Sequence, residues 1–153
     1  MTNTKTTIVG LTIVTSMLVV AALFAASITP QASAAAGGLV TGDGKGSLAC
    51  PDGTNQPATI SFSATDNGKA VSGTVSISDG TATGSGDITK GQVAKNHYAL
   101  EGKWNRGGLC SLTDSHSFSV SGAPGPSVLM QFVDVCQECK HDFRGTVIIS
   151  PTK

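Results

Sequence analysis

The residues best suited to chemistry gather late in the chain. Cys136-Gln137-Glu138-Cys139-Lys140-His141 sets two thiols and an imidazole in a C-x-x-C-x-H run. Sulfur and nitrogen donors of this kind suit zinc or copper. His97, His116 or Asp134 would supply a fourth ligand. A lone C-x-x-C with no second matching pair is a weak metal signature. A redox dithiol is another use of the pair. Thioredoxin-type chemistry needs a helix N-terminus to lower the thiol pKa, whereas these cysteines stand among strand-like residues. The third use is structural. Cys50 and Cys110 bring the total to four cysteines, and four allow three connectivities. In an oxidising compartment disulfides are the expected state. They are either Cys136–Cys139 with Cys50–Cys110, or the close pair split between Cys50 and Cys110.

No other constellation carries catalysis. Asp114-Ser115-His116 has the residue types of a hydrolase triad. Neighbours in one tight turn cannot line up as nucleophile, base and orienter. Gly84-Ser85-Gly86 lacks the G-x-S-x-G frame and falls within a strand pattern. Glu101 and Glu138 are the only glutamates, and nothing relates them as the acid pair of sugar hydrolysis. Asp43, Asp52, Asp66 and Asp79 stand beside glycine or asparagine, which is ordinary turn chemistry. Trp104 with Arg106, in the loop Asn105-Arg106-Gly107-Gly108, is the best pair of contact candidates. Tyr98, Leu100 and Trp104 share one alternation, which reads first as core. The expectation is a non-enzymatic protein with no required cofactor. Zinc or copper at Cys136, Cys139 and His141 is the alternative.

The elements that would position these residues are strands. Asn67-Gly68 is a strong hairpin signal. A two-residue turn centred on it sets Ala64 opposite Val71, Phe62 opposite Gly73 and Ile60 opposite Val75. Asp79-Gly80, read the same way, sets Ile77 opposite Ala82, Val75 opposite Gly84 and Gly73 opposite Gly86. Both turns give one inner face, with Thr59, Ser61, Ser63, Thr65, Ser72, Thr74, Ser76 and Ser78 outside. The predicted unit is a three-stranded meander over residues 58–89. Glycines on its inner face permit a curled sheet.

Further strands are predicted at Leu39–Ala49, His97–Trp104, Leu109–Thr113 and His116–Ser121, with a break at Ala123-Pro124-Gly125-Pro126. A last hairpin joins Ser127–Val135 to Lys140–Ser150. If Gln137-Glu138 tops it, Asp134 faces His141 and Phe132 faces Phe143. The fold class is therefore all-β, an antiparallel β-sandwich or small β-barrel of about 8–9 strands.

The first 36 residues set the compartment. Lys5 precedes the apolar run Ile8–Ala26, Pro30 breaks it, and Ala32-Ser33-Ala34 follows. This is the layout of a secretory signal, with cleavage expected near Ala34 or Ala36. The run of about 19 residues also approaches the roughly 20 that span a bilayer, so an uncleaved N-terminal anchor helix is the alternative. Residues 1–36 are read as signal or anchor and 37–153 as one exported β domain. The localisation expected is secreted or the outer face of the cell membrane. Any membrane attachment runs through residues 8–26.

Charged residues are only 13% of the chain, against roughly 25% in an average protein. Without Lys5 there are nine Lys/Arg against ten Asp/Glu, a net of −1. Binding to a nucleic-acid backbone needs a basic face, so nucleic acid is not an expected partner. The expected partner is an extracellular ligand or a cell-surface component.

Gly86-Asp87-Ile88-Thr89-Lys90-Gly91, then Asn96-His97-Tyr98-Ala99-Leu100-Glu101-Gly102, and the terminal Phe143-Arg144-Gly145-Thr146-Val147 carry a resemblance. The pattern resembles that of small exported archaeal β-domain proteins of unassigned function. It spans most of the exported domain. It implies an exported β domain and transfers no catalytic or ligand residue.

Overall fold

The computed structural model describes residues 37–134 and 140–151. The leader with its anchor helix, and Cys136 and Cys139, lie outside the described residues. Eight strands follow in chain order: β1 (Gly38–Ala49), β2 (Asn55–Asp66), β3 (Val71–Ser78), β4 (Thr83–Ala94), β5 (His97–Asn105), β6 (Ser115–Gly122), β7 (Gly125–Asp134) and β8 (Lys140–Pro151). Each pairs antiparallel with the next, and β1 pairs with β8 from Gly38↔Pro151 to Gly46↔Phe143. Of the two expected architectures the result is the barrel, closed and up-and-down, with eight strands among the described residues. Closure removes the edges that an open sheet would expose.

The alternation read from sequence holds. Phe62, Val75, Ile77, Leu100, Val120, Phe132 and Phe143 are buried in the barrel, and the Ser and Thr residues between them face out. Eight strands enclose a space just wide enough for side chains to fill. Here Phe132 fills it, stacked 5.2 Å from Phe118 and edge-on to Trp104 at 5.0 Å between centroids. Such aromatics fit because the positions facing them are glycine. A Cβ at Gly84 would lie 2.7 Å from the Trp104 ring, and one at Gly42 would enter the Phe62 ring. The exterior is polar, with Leu39, Leu129 and Ile148 its exposed large apolar side chains among the described residues. A membrane-spanning barrel carries the reverse pattern, an apolar outer band.

The hairpin registers differ from expectation by two residues, with the faces unchanged. Ala64 pairs with Gly73 and Phe62 with Val75. Ile77 pairs with Gly84 and Val75 with Gly86. Each turn is centred one residue later, on Gly68-Lys69 and on Gly80-Thr81. The cause is the side chain before the glycine. Asn67 Oδ1 accepts the N–H groups of Lys69 and Ala70, both at 2.9 Å. Asp79 Oδ1 accepts those of Thr81 and Ala82, both at 2.8 Å. Glycine then takes the first central position with φ of +77° and +91°, a conformation it adopts without steric cost. The last hairpin also departs by two residues, in the opposite direction, so Phe132 pairs with His141 and Met130 with Phe143.

Two other segments depart from the strand reading. Leu109–Ser111 is a 3₁₀ turn, not part of a strand over 109–113. The Ala123–Pro126 break is shorter than expected, because β7 already starts at Gly125. A bulge at Thr89 separates the pairs Ile88↔Gly102 and Lys90↔Glu101. It reverses the phase of β4, so that Val93 is buried where an unbroken alternation would expose it.

Candidate functional site

Residues proposed for different roles meet at one end of the barrel. β5 delivers Trp104 and, two residues on, Arg106. β7 ends on Asp134, β8 begins beside His141, and β1 ends at Ala49 next to Cys50. All four side chains continue the inward phase of their strands, which is why they converge. Arg106 is 3% exposed, Trp104 2% and His141 1%. Trp104 and Arg106 thus face the interior.

Arg106 Nη2 donates to Asp134 Oδ2 at 2.7 Å, and Arg106 Nε lies 3.5 Å from Asp114 Oδ1. The guanidinium carbon sits 5.9 Å from the Trp104 ring centroid. Its charge is therefore offset by two carboxylates and an aromatic face, which a buried cation requires. Asp114 is exposed, and its carboxyl is held below the usual carboxylate range. Its hydrogen bond with His116 is the main cause, with the charges of His116 and Arg106 adding to it. Asp114 and His116 thus bond each other beside Arg106 and do not flank Ser115 as a triad would.

His141 Nδ1 accepts the Ala49 N–H at 3.0 Å, and Nε2 lies 3.8 Å from Asp134 Oδ1. Of the metal set expected from sequence, the described members His141 and Asp134 are close, whereas Cys136 and Cys139 lie outside the described residues. His97 bonds Asn96 and Gln92 on the surface of the β4–β5 turn, so it does not join His141. No group of three or more His, Cys, Asp or Glu forms a metal cluster among the described residues.

Cys50 and Cys110 form a disulfide. This excludes the connectivity in which the close pair is split between them. The bond joins the β1–β2 loop to the β5–β6 loop across the same barrel end. Leu109, fully buried, plugs that end. The Cys110 N–H donates to Gln56 Oε1 at 3.1 Å.

The opposite end holds a buried group that sequence reasoning took for a turn residue. Asp66 Oδ1 accepts the Gly68 N–H at 2.8 Å and Oδ2 accepts the Val93 N–H at 3.1 Å. The carboxylate thus ties the β2–β3 turn to β4. Its phase with Phe62 and Ala64 was the available signal.

The outer wall carries a concavity of about 600 Å³ across β8, β1, β2, β3 and β4. Asp43, Lys45 and Arg144 line it together with Thr59, Ser61, Ser76, Ser78, Thr83 and Thr146. No protein-family model matches the chain, and no curated protein or solved structure shows significant similarity to it.

Proposed function

We propose that this chain is an exported, non-enzymatic β-barrel module, secreted or held at the outer face of the cell membrane, where it serves a structural or binding role. The observation that carries this reading is the Cys50–Cys110 disulfide, which staples loops 60 residues apart. Disulfides persist in oxidising compartments and are rare in the cytosol. The signal-like order of residues 1–36 and the hydroxyl-rich exterior agree with it. Aromatic and aliphatic side chains fill the barrel, so recognition falls to the outside rather than to a lipocalin-like interior.

A zinc- or copper-binding role for Cys136, Cys139 and His141 is less favoured, because the His141 Nδ1 lone pair is already taken by the Ala49 N–H. Biotinylation of intact cells with a membrane-impermeant reagent tests the proposal. Labelling of the chain, or its recovery from the medium, is expected. A chain found only in the cytosol, protected from the reagent, would overturn it. Stoichiometric zinc or copper lost in Cys136→Ser would favour the metal reading instead.

A further inference from the structure

The outer concavity is unusual in its charges. Across the β4–β5 ladder, outward lysines face acids. Lys103 pairs with Asp87, and Lys90 with Glu101. Lys45 instead has Arg144 directly opposite on β8 and Thr59 opposite on β2. Like charges placed directly opposite destabilise a sheet. Asp43 and Asp142 stand two residues away along their strands. Among the described residues neither comes within ion-pair distance of Lys45 or Arg144. Arg144 is bonded only through Nη1 to the Ser127 carbonyl at 3.2 Å, which leaves most of its donors for a ligand.

Hydroxyl side chains make up most of the remaining lining, with Ile60, Gly44 and Gly145 between them. Thr59, Ser78 and Thr83 spend their hydroxyl protons on the Ser78 carbonyl, the Ala82 carbonyl and the Ser78 oxygen. Ser61, Ser76 and Thr146 make no side-chain hydrogen bond among the described residues. Two cations, one carboxylate and uncommitted hydroxyls therefore face one concavity. Its volume lies within the roughly 300–1,000 Å³ of small-molecule sites. Cations and hydroxyls set beside the apolar surface of Ile60 suit a ligand that carries an acid group on a hydroxylated ring.

We infer that this concavity binds an acidic saccharide. Lys45 and Arg144 hold its carboxylate or sulfate by charge-assisted hydrogen bonds. Asp43, Ser61, Ser76 and Thr146 bond its ring hydroxyls. The inference rests on the reading of the chain as an exterior binding module. Surface labelling tests that reading, whereas the purified protein tests this one.

The test is a titration of the ¹⁵N-labelled full chain with tetragalacturonate, a sulfated disaccharide, neutral maltotetraose and sodium sulfate. One or both acidic saccharides should shift the amide signals of Lys45, Ser61, Ser76 and Thr146, and the responding arm identifies the acid group. Lys45→Glu and Arg144→Glu should each weaken binding at least tenfold. Lys103→Glu, on β5, should stay within twofold of the parent. Unfolding midpoints confirm that each exposed variant is folded. Silence of both acidic saccharides would overturn the inference. So would equal binding of maltotetraose, equal shifts with sulfate alone, or a loss in Lys103→Glu matching that in Lys45→Glu.

Discussion

The Ala49 amide donates a hydrogen bond to His141 Nδ1 at 3.0 Å, across 92 residues of sequence. The backbone ladder between β1 and β8 ends at Gly46↔Phe143. The imidazole therefore takes over where the ladder stops and fastens the last residue of β1 to the start of β8. Because Nδ1 accepts, the ring proton resides on Nε2, facing Asp134. Long-range ¹H–¹⁵N spectra should show His141 as the Nε2–H tautomer. Replacing it with phenylalanine keeps the ring and deletes the acceptor. The bond lies in a partly buried site, where a hydrogen bond contributes roughly 1 kcal/mol, and denaturant unfolding of His141→Phe should lose about that much.

Arg106 and Asp134 form a pair with both side chains buried. Removing one partner leaves the other charge in a dry site, which costs about 3–5 kcal/mol. Arg106→Met should lose stability on that scale in equilibrium unfolding. Arg106→Met with Asp134→Leu should recover a large part of it. A double variant no better than the single would show that the pair is not what fixes this end.

The Cys50–Cys110 bond spans 60 residues. Chain-entropy arguments give about 4 kcal/mol for a loop of that size. Reduction, or Cys50→Ala with Cys110→Ala, should lower stability by that order and free Leu109 from the barrel end first. Hydrogen exchange of residues 106–114 would report the loosening before the strands open.

Much of this fold was legible in the chain because inward and outward residues alternate, broken in β4 by the bulge at Thr89. Thr59, Ser61, Ser63 and Thr65 could only face water once Phe62 and Ala64 faced in. Register was less legible. A turn centred on Gly68-Lys69 rather than Asn67-Gly68 keeps every face, so the hydrophobic pattern cannot tell the two apart. Side-chain acceptance by Asn67 and Asp79 decides it. Barrel and sandwich share one alternation, and only the β1–β8 pairing separates them. At the polar end, Asp134 and His141 were placed on one face by their phase with Phe132 and Phe143. Their meeting with Arg106 needed the closure of three strands from distant parts of the sequence.

Titration should follow the burial of particular groups. The single tyrosine, Tyr98, lies in the core, and burial raises its phenol well above the usual value. A group whose folded pKa is raised contributes stability that is present below its unfolded value, near 10, and lost as pH rises above it. Absorbance at 295 nm should therefore report tyrosinate only as the barrel unfolds, in step with the loss of near-UV dichroism from Trp104.

On the acid side, Asp79 is held below its ordinary value by the Ala82 N–H, with the Thr81 N–H and hydroxyl adding. A depressed pKa gives stability above the unfolded value that is lost as pH falls through the folded one. Asp79→Asn should keep the turn, as Asn67 does in the neighbouring hairpin, and flatten this loss. Unfolding midpoints measured from about pH 5 to about pH 2 check it.

The most direct test of the account is a non-reducing peptide map of the full protein recovered from outside its cells. The expected result is a cross-linked peptide joining Cys50 to Cys110, converted to two peptides on reduction. Recovery only from the cytosol, with both thiols free to alkylation, would contradict an exported, disulfide-stapled barrel.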